Sequence, residues 1–246
     1  MEGSDPPTVA TGGPSAPAAT RGGRQVIPRP PSARPGAEAP WSGLSAARRR
    51  GITVAAVTAA LAARRAPGSA VGPSRVPAPA AALPAAVLVA LFEEGGEARV
   101  VLTRRAAHLR AHRGEVSFPG GRLDGEETPE AGALREAAEE IGLDPRPLSL
   151  VGRLTPVSTF SSASVITPVV GVLPRRPRLV ANAAEVEHVF DVALAELVED
   201  GVFREEWWSI DGATAFAVWF FELPGDTVWG ATARILVDLL RVVMAR

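Results

Sequence analysis

The 246-residue chain contains no cysteine, and all 26 of its basic residues are arginine. The first absence excludes thiol nucleophiles, disulfides and cysteine-ligated zinc. The second excludes a lysine Schiff base and the phosphate-gripping lysine of a P-loop. Together with abundant alanine it reads as the bias of a GC-rich bacterial genome, which sets the expectation of a cytoplasmic protein. Long apolar runs are also missing. The longest near the front, "ITVAAVTAALAA" (Ile52–Ala63), is too short to span about 30 Å of hydrocarbon. A basic "RRR" (Arg48–Arg50) precedes it, as in a signal sequence, but the run lies too far into the chain for that role. It reads as a short helix packed on the domain, and no membrane association is expected.

Excess charge of either sign is lacking as well, since the net charge is −1. The average conceals a division. Residues 1–80 hold ten Arg against three acids (Glu2, Asp5 and Glu38), whereas residues 81–246 hold sixteen Arg against twenty-four acids. The acidic part is where a folded domain is expected. An organellar transit peptide is an alternative reading of the Arg-rich front, but its many Pro and Gly oppose an amphipathic helix.

Residues 1–40 are rich in Pro, Gly, Ala, Ser and Arg and have no aromatic residue. Such a segment buries too little to offset its ordering entropy, so disorder is predicted. Residues 41–82 read as a short helix from Trp41 followed by a Pro/Ala-rich linker, and residues 83–246 as the domain. Its first strand is the nearly continuous apolar run "AAVLVALFE" (Ala85–Glu93), the pattern of a strand covered on both faces. A turn at "EGGEA" and a returning strand at Arg99–Arg105 make a hairpin, and Gly114–Phe118 is a third strand. Further strands are predicted at 148–154, 166–173, 206–210 and 214–223, and helices at 192–199 and from Thr227 to about Met244. Strands and helices interleave without βαβ repetition, so the class is α/β or α+β, a mixed sheet flanked by helices.

The stretch "GGRLDGEETPEAGALREAAEEIGL" (Gly120–Leu143) places Glu136, Glu139 and Glu140 within five residues. Like charges at this spacing share a helix face and repel by roughly 0.2–0.5 kcal/mol per pair. Thr128 suits the N-cap, Pro129 the first helical position and Gly142 the C-terminal cap. On a helical wheel Leu134, Ala137, Ala138 and Ile141 form one side, and the three glutamates the other, with Arg135 beside them. A solvated acidic face would explain this pattern. So would a site for Mg²⁺ or Mn²⁺, which prefer carboxylate and water oxygens. The Gly-rich turn before the helix, with Glu127 at its exit, favours the second.

These residues resemble the Nudix hydrolase signature, G-x5-E-x7-R-E-U-x-E-E-x-G-U, where U is bulky and apolar. Gly121, Glu127, Arg135, Glu136, Glu139, Glu140, Gly142 and Leu143 match it, and Ala137 stands at a U position. The resemblance implies a mixed sheet sandwiched between helices and a Mg²⁺- or Mn²⁺-dependent pyrophosphohydrolase. It makes Glu136 and Glu140 principal metal ligands and Glu139 a further ligand or the base, with Glu127 and Arg135 orienting the cluster. Glu185 and Glu187, in "NAAEVEHVF", are further candidates from a loop, or ordinary surface residues.

Just upstream, "VLTRRAAHLRAHRGEVSFPGG" (Val101–Gly121) resembles the pattern of the coenzyme A diphosphatase branch, L-L-T-x-R-(S/A)-x3-R-x3-G-x3-F-P-G-G. Leu102, Thr103, Arg105, Ala106, Arg110, Gly114, Phe118, Pro119, Gly120 and Gly121 align with it. That branch implies hydrolysis of coenzyme A or its derivatives to 3′,5′-ADP and 4′-phosphopantetheine or its acyl form. Arg105, Arg110, His112, Gly120 and Gly121 are then the substrate-binding candidates, since Arg clamps phosphate oxygens bidentately. For Arg104 and Arg113 a solvated surface role is the preferred reading. His108 and His112 are four apart, but hard oxygen ligands next door argue against a histidine metal pair. Trp207, Trp208, Trp219 and Trp229 read as core rather than as adenine platforms.

Other readings stay open. A Nudix enzyme could act on ADP-ribose or a dinucleotide, and a Nudix-fold ligand sensor would not catalyse at all. Against the sensor, all four box glutamates are present. The partner expected is a small diphosphate-bearing molecule. A nucleic-acid partner is not expected, because the basic segment lacks aromatics and the domain is acidic. The oligomeric state, a homodimer included, is left open.

Overall fold

The computed structural model describes residues 21–64, 82–159, 163–209, 212 and 214–245. The predicted Pro/Ala linker and the first twenty residues lie almost wholly outside them. The chain enters through two short strands, β1 (Gly22–Gly23) and β2 (Arg34–Pro35), and two helices, α1 (Ala46–Arg49) and α2 (Val54–Ala63). The single helix expected from Trp41 is therefore two, interrupted at Arg50–Thr53, where Thr53 caps α2 by accepting from the Ala56 N–H at 3.1 Å.

The domain follows as β3 (Leu83–Glu94), β4 (Glu97–Arg105), β5 (Val116–Ser117), β6 (Gly120–Arg122), α3 (Pro129–Ile141), β7 (Ser149–Arg153), β8 (Val157–Ser158) and β9 (Ser164–Val172). It closes with β10 (Val186–Ala193), α4 (Leu194–Leu197), β11 (Phe203–Ser209), β12 (Ala215–Trp229) and α5 (Gly230–Met244). Five strands form a mixed sheet in the order β10-β4-β3-β9-β7, with β5, β6 and β8 attached to β4, β3 and β9. The central pair, β3 with β9, is parallel.

Side chains of β3 alternate between the two faces of this sheet. Ala86, Leu88, Ala90 and Phe92 pack with Ala133, Ala137 and Ile141 of α3. Val89 and Leu91 face the other way, into a larger core with Val57 and Leu61 of α2 and Leu236 and Leu240 of α5. Cover on both faces is why β3 needs an unbroken apolar run. The α+β sandwich expected from the sequence is the fold observed.

The second sheet, in the order β1-β12-β11-β2, corrects the expectation that residues 21–40 are without structure. Gly22 and Gly23 pair in parallel with Pro224 and Gly225, and Arg34 and Pro35 pair with Trp207 and Glu206. Trp41, only 2% exposed, packs edge-on to Phe203 at 5.3 Å and over Phe221 at 6.2 Å. The segment's own composition supplies little to bury, and its order comes from partners near residues 205–227, remote in sequence.

Two other expectations are corrected. Residues 186–193 form an edge strand on β4 rather than a loop leading into a helix at 192–199, and α4 is a single turn. In α3, Ala138 is exposed whereas Glu140 is only 3% exposed. The buried arc of the helix is thus rotated away from the apolar stripe, so that a carboxylate goes inside.

Candidate functional site

The site lies where β4 parts from β3. Leu91 to Glu94 of β3 pair with β4, but Ala85 to Val87 pair with β6 instead. The far end of β4 pairs with β5 at Thr103 and Arg104. Pro119 leads from β5 into β6, which opens with Gly120-Gly121 beneath α3. At Gly120 (φ +154°) a Cβ would stand 2.4 Å from the Ala86 carbonyl oxygen, and at Gly121 it would stand 2.4 Å from Glu136 Oε1. The backbone contact and positive φ at Gly120 leave no room for a side chain, whereas one at Gly121 would displace the Glu136 carboxylate.

Helix α3 begins and ends as its sequence indicates. Thr128 Oγ1 accepts from the Ala131 N–H at 3.3 Å, Pro129 occupies the first turn, and Gly142 closes the helix in the left-handed region. Arg135 is the hub of its outer side. It donates through Nε and Nη2 to both Glu127 oxygens at 3.1 Å, and through Nη1 to Glu136 at 3.0 Å and Glu139 at 3.2 Å. It also donates to the Arg122 carbonyl at 3.1 Å. Glu127 in turn accepts from the Asp124 N–H at 3.2 Å, and these bonds, that of Arg135 foremost, hold its carboxyl below the usual range.

Glu140 is the opposite case. Its Oε2 accepts from the Gly120 N–H at 3.1 Å, and Oε1 lies 3.7 Å from Arg105 Nη1. Burial outweighs both contacts, and with repulsion from Glu136 and Glu185 it pushes the carboxyl up to about 7. Glu136 is also raised, first by burial and then, against the pull of Arg135, by Glu139 and Glu185. The structure thus gathers Glu136, Glu140 and Glu185 into one region of negative potential. Glu187 does not join it and instead lies 3.7 Å from Arg104. Glu139, expected on the same face as the others, has a side chain 58% exposed and touches Arg135.

In the rotamers present, no three acidic or histidine side chains among the described residues converge closely enough to cage a metal ion. The chemistry of the donor set nonetheless fits a hard divalent cation. Glu140 is a buried carboxylate with partial compensation, flanked by two more carboxylates, and a divalent ion would neutralise that group. Glu136, Glu140 and Glu185 are the residues that could hold it.

Among the substrate-binding candidates, Arg105 stands beside Glu140, and its Nε is buried without a hydrogen-bond partner. Arg110 is exposed on the loop joining β4 to β5. His112, in the same loop at φ +55°, shares a hydrogen bond with Glu115 at 3.0 Å, which raises its pKa. Gly120 is a donor to Glu140, and Gly121 lies under Glu136. His108 contacts the Ala184 carbonyl at 3.1 Å. Trp208 and Trp219 are buried, in keeping with a core role.

Arg104 is not the solvated residue expected. Its Nε donates to Asp226 Oδ1 at 2.8 Å and its Nη2 to Oδ2 at 2.5 Å, a bidentate pair with a buried carboxylate. Asp226 sits in "PGD", a sequence that signals only a turn, so nothing local distinguishes it. No helix among the described residues is long and apolar enough to cross a membrane.

Comparison with known proteins identifies the family. The model of the NUDIX domain matches residues 82–221, more than half of the chain. Similar proteins include the chloroplastic Nudix hydrolase 22 of Arabidopsis thaliana, 40% identical over 169 residues, which are 66% of this chain and 56% of that one. The mitochondrial Nudix hydrolase 15 of the same plant is 39% identical over 171 residues, 66% of this chain and 59% of its own. The match therefore spans little more than half the length of these two relatives. An uncharacterized Nudix hydrolase, NudL, of Salmonella paratyphi B is 37% identical over 57% of this chain and 72% of its own. Similar solved structures include the Nudix hydrolase RenU of M. smegmatis (28% identity, 45% of this chain and 70% of that one, TM-score 0.40). A MutT/nudix family protein of Enterococcus faecalis covers 81% of this chain and 72% of its own at 18% identity and TM-score 0.45. The relatives are variously chloroplastic, mitochondrial and bacterial, so they assign no location. On the family match, and with the glutamate-bearing helix in place, the chain belongs to the Nudix family.

Proposed function

We propose that this protein hydrolyses the pyrophosphate bond of coenzyme A or its derivatives, releasing 3′,5′-ADP and 4′-phosphopantetheine or its acyl form. The observation that carries this reading is the position of the segment 101–121. Two of the residues that resemble the coenzyme A branch flank Glu140, with Arg105 near one oxygen of its carboxylate and the Gly120 N–H on the other.

A divalent ion held by Glu136, Glu140 and Glu185 would neutralise phosphate charge and lower the pKa of a bound water. The protein's own groups do the rest. Arg105 presents a buried, unpartnered Nε together with its terminal nitrogens, donors suited to a phosphate oxygen. Arg110 and His112, on the loop that follows, are the candidates to meet a second anionic group such as the 3′-phosphate. Arg135 keeps Glu127 and Glu136 in fixed orientation, the support that metal-ligating carboxylates need. In the net reaction water adds to one phosphorus, the bridging P–O bond breaks, and the leaving phosphate keeps the electron pair. Glu139, exposed at the rim, and Glu185 are the two candidates to accept the proton of that water.

The test is a substrate panel with purified protein and Mg²⁺ or Mn²⁺, with products identified by mass. Formation of 3′,5′-ADP from coenzyme A, lost in Glu140→Gln, is the expected result. Preferential turnover of ADP-ribose or a dinucleotide would replace the substrate while keeping the reaction. Binding of a diphosphate with no turnover of any would overturn catalysis in favour of a sensor.

A further inference from the structure

Neighbouring residues on a strand point to opposite faces, and at the end of β4 this separates two arginines. Arg105 faces α3 and Glu140. Arg104 faces the second sheet, where it grips Asp226 with two hydrogen bonds. Asp226 is 5% exposed, and its Oδ1 also accepts from Gln25 Nε2 at 2.9 Å. Gln25 Oε1 accepts in turn from the Thr227 N–H at 3.2 Å, and Thr227 Oγ1 accepts from the Gly23 N–H at 2.9 Å. The N-terminal segment, the β12 strand and the strand that carries Arg105 thus meet at one carboxylate. Arg104 also lies opposite Val116 of β5 in the strand register, so the same contact bears on both ends of the loop that holds Arg110 and His112.

A buried ion pair of this kind gains little net stability over apolar packing, because desolvation offsets its attraction. Its bidentate geometry does fix position, since a guanidinium held at two points cannot slide along its strand. We propose that Asp226 is a positioning residue. With Gln25 it fixes Arg104, and through the shared β4 backbone it sets Arg105 against Glu140 and anchors the loop from Ala106 to Glu115. The N-terminal segment is then part of the working domain rather than an appendage to it. This inference rests on reading the Glu140 cluster as a pyrophosphate-cleaving centre.

The experiment uses the full chain, with Asp226→Asn and Arg104→Met each made alone, together, and in an Arg105→Met background. The kcat and KM for coenzyme A are measured with Mn²⁺. Hydrogen exchange of the same proteins is followed without substrate. Either single change should lower kcat/KM by about 10–100-fold, the scale of a displacement of about 1 Å at a reacting centre. The double variant should lose no more than either single one. In the Arg105→Met background the further loss should be clearly smaller, limited to the share carried by the loop with Arg110 and His112, and exchange should rise across residues 103–118 and 21–36 while α3 stays protected. A drop of equal size in the Arg105→Met background, unchanged kcat/KM, or exchange rising evenly through α3 and β9 would overturn the proposal in favour of a purely structural ion pair. Should the unmodified protein cleave no diphosphate, the functional reading fails on its own, and exchange over residues 103–118 decides the positioning role.

Discussion

Two groups of carboxylates are buried to similar depth in this molecule and treated in opposite ways. In the second sheet, Glu206 is 7% exposed and accepts from Arg29 and the Trp208 indole at 2.7 Å each, and from Arg204. Asp226 accepts three hydrogen bonds. On α3, Glu140 is 3% exposed and has one backbone N–H and a guanidinium at 3.7 Å. A carboxylate that serves the fold is saturated with donors. Glu140 is left short of positive charge, and under the proposed function that shortage suits a place prepared for a cation or for proton transfer.

The largest expected effect tests the undercompensated side. Under the proposed function, Glu140→Gln removes an ion ligand that stabilises charge in the transition state and should reduce turnover about a thousandfold or more. The same change should stabilise the metal-free protein at pH 8. Glu140 has a folded pKa of about 7 against an ordinary 4.5. The folded state therefore binds the extra proton, and its stability falls as pH rises from 4.5 to 7, then levels off. That penalty is on the order of 3 kcal/mol above pH 7, so urea midpoints of the two proteins should coincide near pH 4 and separate at pH 8. Adding Mn²⁺ at pH 8 should raise the midpoint of the unmodified protein and not that of the variant. Equal midpoints at both pH values would remove the distinction between the two groups of carboxylates.

Arg135→Met comes next. It releases Glu127, Glu136 and Glu139 from their common donor, the kind of supporting contact whose loss weakens a metal site about 10–100-fold. The loss should show in the Mn²⁺ concentration needed for half-maximal activity. An unchanged requirement would mean that Arg135 supports α3 rather than the ligands.

On the saturated side, Glu206→Gln should leave kcat unchanged and cost about 1.5–3 kcal/mol, the range for hydrogen bonds to charged groups. Its pH signature is opposite to that of Glu140. Burial opposes ionisation of Glu206, but Trp208, Arg29 and Arg204 overcome it and hold the carboxyl below its ordinary 4.5. The stabilisation is therefore full above pH 4.5 and fades as pH falls through the lowered value. Urea denaturation between pH 3 and pH 7 measures it, and a constant difference over that range would contradict the assignment.

How much of this the sequence discloses follows from the range of the forces involved. Thr128, Pro129 and Gly142 act within a turn of their own positions, so both ends of α3 are readable before any tertiary structure is known. The same holds for β3, whose apolar run requires cover on both faces. Glutamate spacing likewise places Glu136 and Glu140 together. It does not reveal that Glu140 turns inward while Ala138 turns out, because Gly120 and Arg105, from other elements, decide that rotation. Nor does it reveal Arg104 with Asp226, or the pairing of Gly22–Gly23 with Pro224–Gly225, which join residues over a hundred positions apart. Composition predicted disorder for residues 21–40 because it registers what a segment can bury by itself, not what Trp207 and Glu206 offer as a sheet edge.

The smallest effect is expected where a carboxylate is neither buried nor short of charge. Glu130 and Arg153 form a bidentate pair at 2.5 and 2.6 Å, with side chains 30% and 44% exposed. Arg153 holds the Glu130 carboxyl below its ordinary range, mainly through these bonds. Water solvates both groups in the unfolded chain nearly as well, so Glu130→Gln should change stability by only about 0–1 kcal/mol, less at high salt. Activity should not change, because the pair tethers the first turn of α3 to β7, away from Glu140. A larger loss, or one insensitive to 0.5 M NaCl, would show that exposed geometry as well as burial sets the value of a carboxylate here, and the contrast between Glu140 and Glu206 would then need a third term.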